Sequence, residues 1–135
     1  MNRTSAIEWL NKSWHHFSSA KILYEAKHYT DVIAIDLHYS VEVTLKSFLA
    51  YLNKKIVKTH DLIEISELVK ENITFDYEEK KLLVLISTYH IRGSYPPKDR
   101  KMPSRVEIKE VLDFTEKLFE NVCNILNIRL EEVQV

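Results

Sequence analysis

Glycine and proline are almost absent from this chain of 135 residues. The single glycine and all three prolines lie in one segment, HIRGSYPPKDRKMPSR, at residues 90–105. In a helix interior these residue types cost about 1 and 3 kcal/mol relative to alanine. Their scarcity elsewhere therefore favours helix as the dominant structure. It also excludes the glycine-rich loops by which P-loop and dinucleotide-binding proteins hold phosphate.

Cysteine, net charge and long apolar runs are also scarce. Cys123 is the only cysteine, which excludes an internal disulfide and fits a reducing cytosol. The net charge of −1 excludes a broadly basic nucleic-acid-binding surface and leaves room only for a local basic patch. No apolar run approaches the roughly 18 residues of a membrane span, and residues 1–14 contain no signal-peptide core. We therefore expect a cytoplasmic protein without a membrane segment, with one domain over residues 1–135.

Apolar residues recur at intervals of three and four along most of the chain, which predicts amphipathic helices. We predict five helices: one near 5–27, one from a cap at Thr30 or Asp31 to Leu52, a short one within 60–71, one from a cap at Asp76 to the breaker segment, and one from a cap at Ser104 through Leu126. The tail from Arg129 onward is expected to fray. The predicted fold class is all-α, an up-and-down bundle of four long helices and one short helix.

The second predicted helix, TDVIAIDLHYSVEVTLKSFLAYL, is apolar on nearly every side. Such a helix lies at the centre of a bundle or buries one side against a partner chain. It has more apolar surface than a four-helix arrangement easily covers, so we also expect a homodimer.

The spacing of potential ligands and nucleophiles does not favour metal or covalent chemistry. Di-metal bundles use two Glu-x-x-His pairs, and this chain has only one such spacing, at Glu25 and His28. The adjacent His15 and His16 would point about 100° apart on a helix and could not chelate one ion together. Cys123 fits a small core residue. We predict no metal, no other cofactor and no catalytic residue.

Polar residues on the second helix form the main candidate site. His38, Glu42 and Lys46 are spaced by four and share one helix face. One interpretation is an ordinary Glu–Lys surface pair with His38 beside it. The other is a polar seam facing a cleft, completed by the end of the fourth helix and the cationic segment after it. The candidate ligand-binding residues are then His38, Glu42, Lys46, Tyr89, His90, Arg92, Tyr95, Lys98, Arg100 and Lys101.

The cationic segment has two interpretations of its own. A loop of about a dozen residues in a compact domain is usually functional or disordered. Its cations could gather anions and its tyrosine could stack on a base. Alternatively, it is a solvated loop whose charges maintain solubility.

Several motifs, in order, resemble those of the HEPN domain family (higher-eukaryote and prokaryote nucleotide-binding), in its prokaryotic branch. They are VEVTLKSFL at Val41–Leu49, HDL at His60–Leu62 and TYHIRGSYP, followed by a capped closing helix. The resemblance spans about Trp9 to Val122. Ser94 stands where an arginine usually precedes the Tyr-Pro pair, and Arg92 could supply that guanidinium instead. No arginine here is followed after four to six residues by histidine, the motif of family members that cleave RNA.

The resemblance implies a helical bundle, usually a homodimer, often encoded beside a minimal nucleotidyltransferase as a nucleotide-binding or toxin–antitoxin component. We therefore predict a non-catalytic protein that binds a nucleotide or a nucleic-acid phosphate, with Lys46 and Arg92 on the phosphate and a tyrosine on the base. One alternative is a diverged, metal-independent ribonuclease toxin that uses His90, Arg92 and Tyr95. A further alternative is a non-catalytic helical adaptor.

Overall fold

A computed structural model describes residues 1–92, with Arg92 by its backbone alone, together with Pro96 and residues 102–135. The helices are α1 (Arg3–Glu25), α2 (Thr30–Tyr51), α3 (Leu62–Leu68), α4 (Tyr77–Arg92) and α5 (Arg105–Ile125), followed by a 3-10 turn at Leu130–Glu132. The described part of the chain contains no strand. The prediction of an all-α fold with four long helices and one short helix is confirmed.

The central helix of the bundle is α2, as predicted. It packs against α1, α3, α4 and α5, and every residue from Ser40 to Ala50 is buried. Helices of the same chain therefore cover its apolar surface. Little of the surplus that we expected a second copy to cover remains, with Val32 near the start of α2 still 41% exposed. Among the described residues, none of the helices has both the length and the apolar character needed to cross a membrane.

The helix starts agree in part with the predicted caps. The Asp76 and Glu79 side chains each accept a hydrogen bond from the other residue's backbone N–H, at 2.8 and 2.9 Å. Ser104 Oγ accepts from the Glu107 N–H at 3.0 Å. The prediction for α2 is wrong, because its N-cap is Tyr29 and no side chain caps it. The first helix starts earlier than predicted, with Asn2 as its cap.

Three long helices end without glycine. Lys27, Asn53 and Asn127 follow the ends of α1, α2 and α5, with φ of 57°, 55° and 56°. The residue after each of them donates its N–H back to a helix carbonyl, as His28 does to Leu23 at 3.0 Å. This is the hydrogen-bond pattern of a Schellman motif, whose left-handed position usually holds glycine.

The C-terminal tail is docked, in contrast to the predicted fraying. Val133 is completely buried, and its carbonyl accepts from Asn11 Nδ2 at 2.9 Å. The Arg3 guanidinium donates to Glu132 Oε2 at 2.6 Å. These contacts hold the tail against α1.

Cys123 lies in the core, as predicted. Burial, and to a smaller extent the nearby Glu120 carboxylate, raises the pKa of its thiol to about 12. At neutral pH the thiol is therefore protonated and is a poor nucleophile.

Candidate functional site

The polar residues on α2 face the interior of the bundle. The side chains of His38 and Lys46 are 0% and 6% exposed, and Glu42 between them is buried as well. The four-residue spacing does bring the three together on one face. The interpretation as an ordinary surface pair is wrong, because that face is covered by α4 and by the chain that leads into α3.

Glu42 lies at the centre of this network. Its Oε2 accepts from Lys46 Nζ at 2.9 Å, and its Oε1 accepts from His60 Nδ1 at 2.8 Å. The Nε2 of His38 lies 3.1 Å from the same Oε1. Burial alone would raise the pKa of Glu42, but the interactions with His38, His60 and Lys46 outweigh it and lower the pKa to about 2. A carboxylate therefore persists inside the bundle.

His38 is held from both sides. Its Nδ1 lies 2.9 Å from the backbone carbonyl oxygen of Ile86 on α4. A carbonyl oxygen only accepts hydrogen bonds, so Nδ1 carries a hydrogen. The other ring nitrogen, Nε2, faces the Glu42 carboxylate, which is also an acceptor.

Two more histidines join His38 from different parts of the chain. His60 comes from the segment before α3 and His90 from α4. Their rings stack with centroids 4.1 Å apart, and the His38 ring lies 5.3 Å from His90 and 6.4 Å from His60. We call His38, His60, His90 and Glu42 the histidine cluster. Burial lowers the pKa of His90, and the charges of His60 and His38 lower it further.

The histidine cluster opens to solvent at His60. Its side chain is 46% exposed, whereas those of His38 and Glu42 are buried. Since Nδ1 of His60 donates to Glu42, the other nitrogen, Nε2, is the atom that a ligand reaches. A carboxylate that fixes one imidazole nitrogen prepares the other to donate to an anion, to accept a proton or to bind a metal.

The structure brings together four of the predicted site residues, namely His38, Glu42, Lys46 and His90. Tyr89 is not among them. It is 3% exposed, and its hydroxyl donates to Glu107 Oε2 on α5 at 2.6 Å. Burial, together with that carboxylate, raises the pKa of Tyr89 well above its usual range. This core position does not suit a ring that stacks on a base.

The remaining predicted site residues belong to the cationic segment. Tyr95, Lys98, Arg100 and Lys101 lie outside the described residues, and so does the side chain of Arg92. Their predicted roles stay predictions.

His60 is the residue that the site prediction missed. The HDL motif contains it, but helical spacing cannot show that a loop residue contacts a helix residue 18 positions earlier. The search for Glu-x-x-His pairs misses it for the same reason. Among the described residues, His38, Glu42 and His60 each offer one metal-ligand atom, and these atoms lie within 4.8 Å of one another.

Comparisons with known proteins agree with this architecture. Residues 6–126 match the family model of the HEPN domain. The fold is similar to that in the crystal structure of TT1696 from Thermus thermophilus, with a TM-score of 0.74. The two chains share 19% sequence identity, and the similarity covers 93% of this chain and 99% of that one. Comparison with curated proteins gives no match.

Proposed function

Because this chain belongs to the HEPN domain family, we propose that it binds the phosphate of a nucleotide or of RNA beside the histidine cluster. Family membership supports a domain with a nucleotide- or RNA-related role. The observation that carries the proposal is the half-exposed His60, oriented by a buried carboxylate and stacked on His90. His90 is two residues before Arg92, and Lys98, Arg100 and Lys101 follow in sequence.

The buried geometry changes the role that we give to Lys46. Its ammonium is bound to Glu42 and its side chain is only 6% exposed. We therefore assign it to holding the carboxylate that orients His60, rather than to the phosphate. His60 donates to a phosphate oxygen, and Arg92 with the cations after it supplies the positive charge that strengthens such bonds.

Two double variants test the proposal, each of which removes two positive charges, one pair at the cationic segment and the other pair on α4. Binding of a fluorescein-labelled single-stranded RNA and of ATP is measured for Arg92→Ala with Lys101→Ala. Lys80→Ala with Lys81→Ala, near the start of α4, is the matched control. We expect the first pair to weaken binding at least about tenfold and to lower the salt dependence of RNA binding by about two released ions. The control should change the affinity less than about twofold. Equal losses in both pairs, or no saturable binding by the wild type, would refute the proposal.

We propose separately that the chain has a minimal nucleotidyltransferase partner in a toxin–antitoxin module, which the family resemblance alone supports. A cytoplasmic location also stays a proposal, and the single cysteine supports it. The test is co-expression with the product of a neighbouring nucleotidyltransferase gene. A complex that survives size-exclusion chromatography is the expected result. Separate elution of the two proteins would contradict the partnership.

A homodimer is supported by α4 rather than by α2. Tyr77, Val84 and Ile91 are spaced by seven and are all exposed, so three apolar side chains lie in one line, which we call the α4 stripe, with polar residues such as Lys81 and Thr88 between them. We propose that two copies pair through this stripe. Light scattering should show a dimer for the wild type and a monomer for Val84→Glu. Val106→Glu, at an exposed site on α5, should remain dimeric.

Metal-independent RNA cleavage is the second candidate, and the Glu42–His60 pair is the observation that favours it. A carboxylate that orients a histidine is a common arrangement for a general base, and His90 lies against the same ring. Labelled RNA is incubated with the protein in the presence of a chelator. Cleavage that is lost in both His60→Ala and His90→Ala would support this activity, and intact RNA would contradict it.

A further inference from the structure

His38, Glu42 and His60 have the donor set and the spacing of a transition-metal site. Glu42 Oε1 lies 2.8 Å from Nδ1 of His60 and 3.1 Å from Nε2 of His38. An ion with bonds of about 2.0–2.1 Å in tetrahedral geometry holds its ligand atoms about 3.3 Å apart. All three ligand atoms lie within 4.8 Å of one another, so small side-chain movements would bring them to this spacing.

The hydrogen bonds of His38 are compatible with a metal ligand at its Nε2. Its Nδ1 is committed to the Ile86 carbonyl, so in a neutral ring Nε2 carries a lone pair. That lone pair faces the ionised carboxylate of Glu42, and two acceptors at 3.1 Å repel each other unless a cation lies between them. Either a second proton on the ring or a bound metal ion supplies such a cation at this position.

The surrounding residues match the usual support of a metal site. Metal-binding histidines commonly donate their other ring N–H to a backbone carbonyl, which fixes the tautomer, and His38 does so to Ile86. The second oxygen of Glu42 accepts from Lys46, which leaves Oε1 as the carboxylate oxygen that faces both histidines. The half-exposed side chain of His60 places this edge of the site next to solvent.

The donor atoms also indicate the class of ion. Two imidazole nitrogens and one carboxylate oxygen suit Zn²⁺ and its neighbours, whereas Mg²⁺ and Ca²⁺ prefer oxygen ligands alone. We propose that His38 Nε2, Glu42 Oε1 and His60 Nδ1 bind one divalent transition-metal ion, with Zn²⁺ as the preferred metal, and that the ion displaces the proton through which His60 Nδ1 otherwise binds Glu42. The sequence spacing predicts no metal, so this inference depends on the three-dimensional arrangement.

The test is direct metal binding by the full-length, tag-free chain. Chelator-treated protein is titrated with Zn²⁺ in a calorimeter and with Co²⁺ in a spectrophotometer, since four-coordinate Co²⁺ absorbs visible light strongly. We expect one ion per chain, with His38→Gln and His60→Gln each weakening Zn²⁺ binding at least about tenfold. The His60 variant keeps the test valid if the buried His38 substitution does not fold, because the His60 side chain is half exposed.

His16→Gln is the matched control. His16 also pairs with a carboxylate, with its Nδ1 3.2 Å from Asp36 Oδ1, but without a second histidine. Its substitution should leave metal binding unchanged. The proposal is overturned if the wild type shows no saturable binding, if both cluster variants bind as tightly as the wild type, or if the control loses as much affinity as they do. Loss of RNA binding in the Arg92 and Lys101 variant bears only on phosphate binding, so the two proposals fail separately.

Discussion

Lys46 and Glu42 form an ion pair of a common helical type in an uncommon place. The i,i+4 spacing is one that on a helix surface contributes only a few tenths of a kcal/mol. Here both side chains are 6% exposed, and the ammonium lies 2.9 Å from the carboxylate. Removing one partner of a buried pair leaves a charge without compensation, which costs several times more than losing a surface pair.

We predict that Lys46→Met lowers the free energy of unfolding by about 3 kcal/mol, measured by urea denaturation. Lys109→Met is the control, because Lys109 pairs with Asp113 at the same 2.9 Å and the same spacing but is 54% exposed. Its loss should cost about 0.5 kcal/mol or less. Similar losses in the two variants would mean that burial does not set the strength of the Lys46 pair.

The sequence predicts which residues of α2 are neighbours in this site, but not that their side chains are buried. Spacing by four identifies His38, Glu42 and Lys46 as neighbours, because that relation is local to one helix. Their burial depends on α4 and on the segment that carries His60, which approach α2 from positions 18 or more residues away. Tyr89 shows the same limit, since it is adjacent to His90 and about 100° from it around α4, and so it faces α5 rather than the cluster.

At the scale of helices, side-chain caps in the sequence identify two of the starts, whereas the ends carry no comparable signal from glycine. Asp76 and Ser104 mark the starts of α4 and α5, because their side chains accept hydrogen bonds from backbone N–H groups in the first turn. The ends of α1, α2 and α5 lack the usual glycine signal. Asn53 and Asn127 give a weaker signal, since asparagine tolerates the left-handed region, whereas Lys27 gives none.

Lys27 therefore offers a test of strain at a helix end. The left-handed region costs an ordinary L-residue about 1–2 kcal/mol, and glycine avoids that cost but loses about 0.5–1 kcal/mol through its more flexible unfolded state. We predict that Lys27→Gly raises the free energy of unfolding by about 0.5 kcal/mol, measured by thermal and urea denaturation. Lys21→Gly makes the same chemical change inside α1 and should lower it by about 1 kcal/mol. If both glycine substitutions raised, or both lowered, the free energy of unfolding, the result would contradict this explanation.

At the scale of the whole molecule, the sequence predicts α2 as the central helix but not what covers it. An apolar surface has the same pattern whether its partner is the same chain or a second copy. In the structure, α1, α3, α4 and α5 surround α2. The docked tail is missed for a related reason, because Val133 and Glu132 find their partners on α1, more than 120 residues away.

The tail contact gives a prediction with a defined pH dependence. The hydrogen bond from Arg3, together with the backbone N–H of Arg129, lowers the pKa of Glu132 to about 2 from an ordinary value of 4.5. A carboxyl group whose pKa is lower in the folded state stabilises that state above its unfolded pKa, and the contribution is lost as the pH falls through the folded pKa. The stabilisation by Glu132 should therefore be complete above about pH 5 and disappear towards pH 2.

We predict that Glu132→Gln has a lower melting temperature than the wild type at pH 7, and that the difference shrinks steadily between pH 5 and pH 2. Both proteins are melted across this range, and Glu131→Gln serves as the control, because Glu131 is exposed and lies 3.9 Å from its partner Arg129. The Glu131→Gln substitution should change the melting temperature little at any pH. A constant difference for Glu132→Gln would show that its ionised carboxylate does not hold the tail. The docking would then depend on the burial of Val133 and on the Asn11 hydrogen bonds, neither of which titrates in this range.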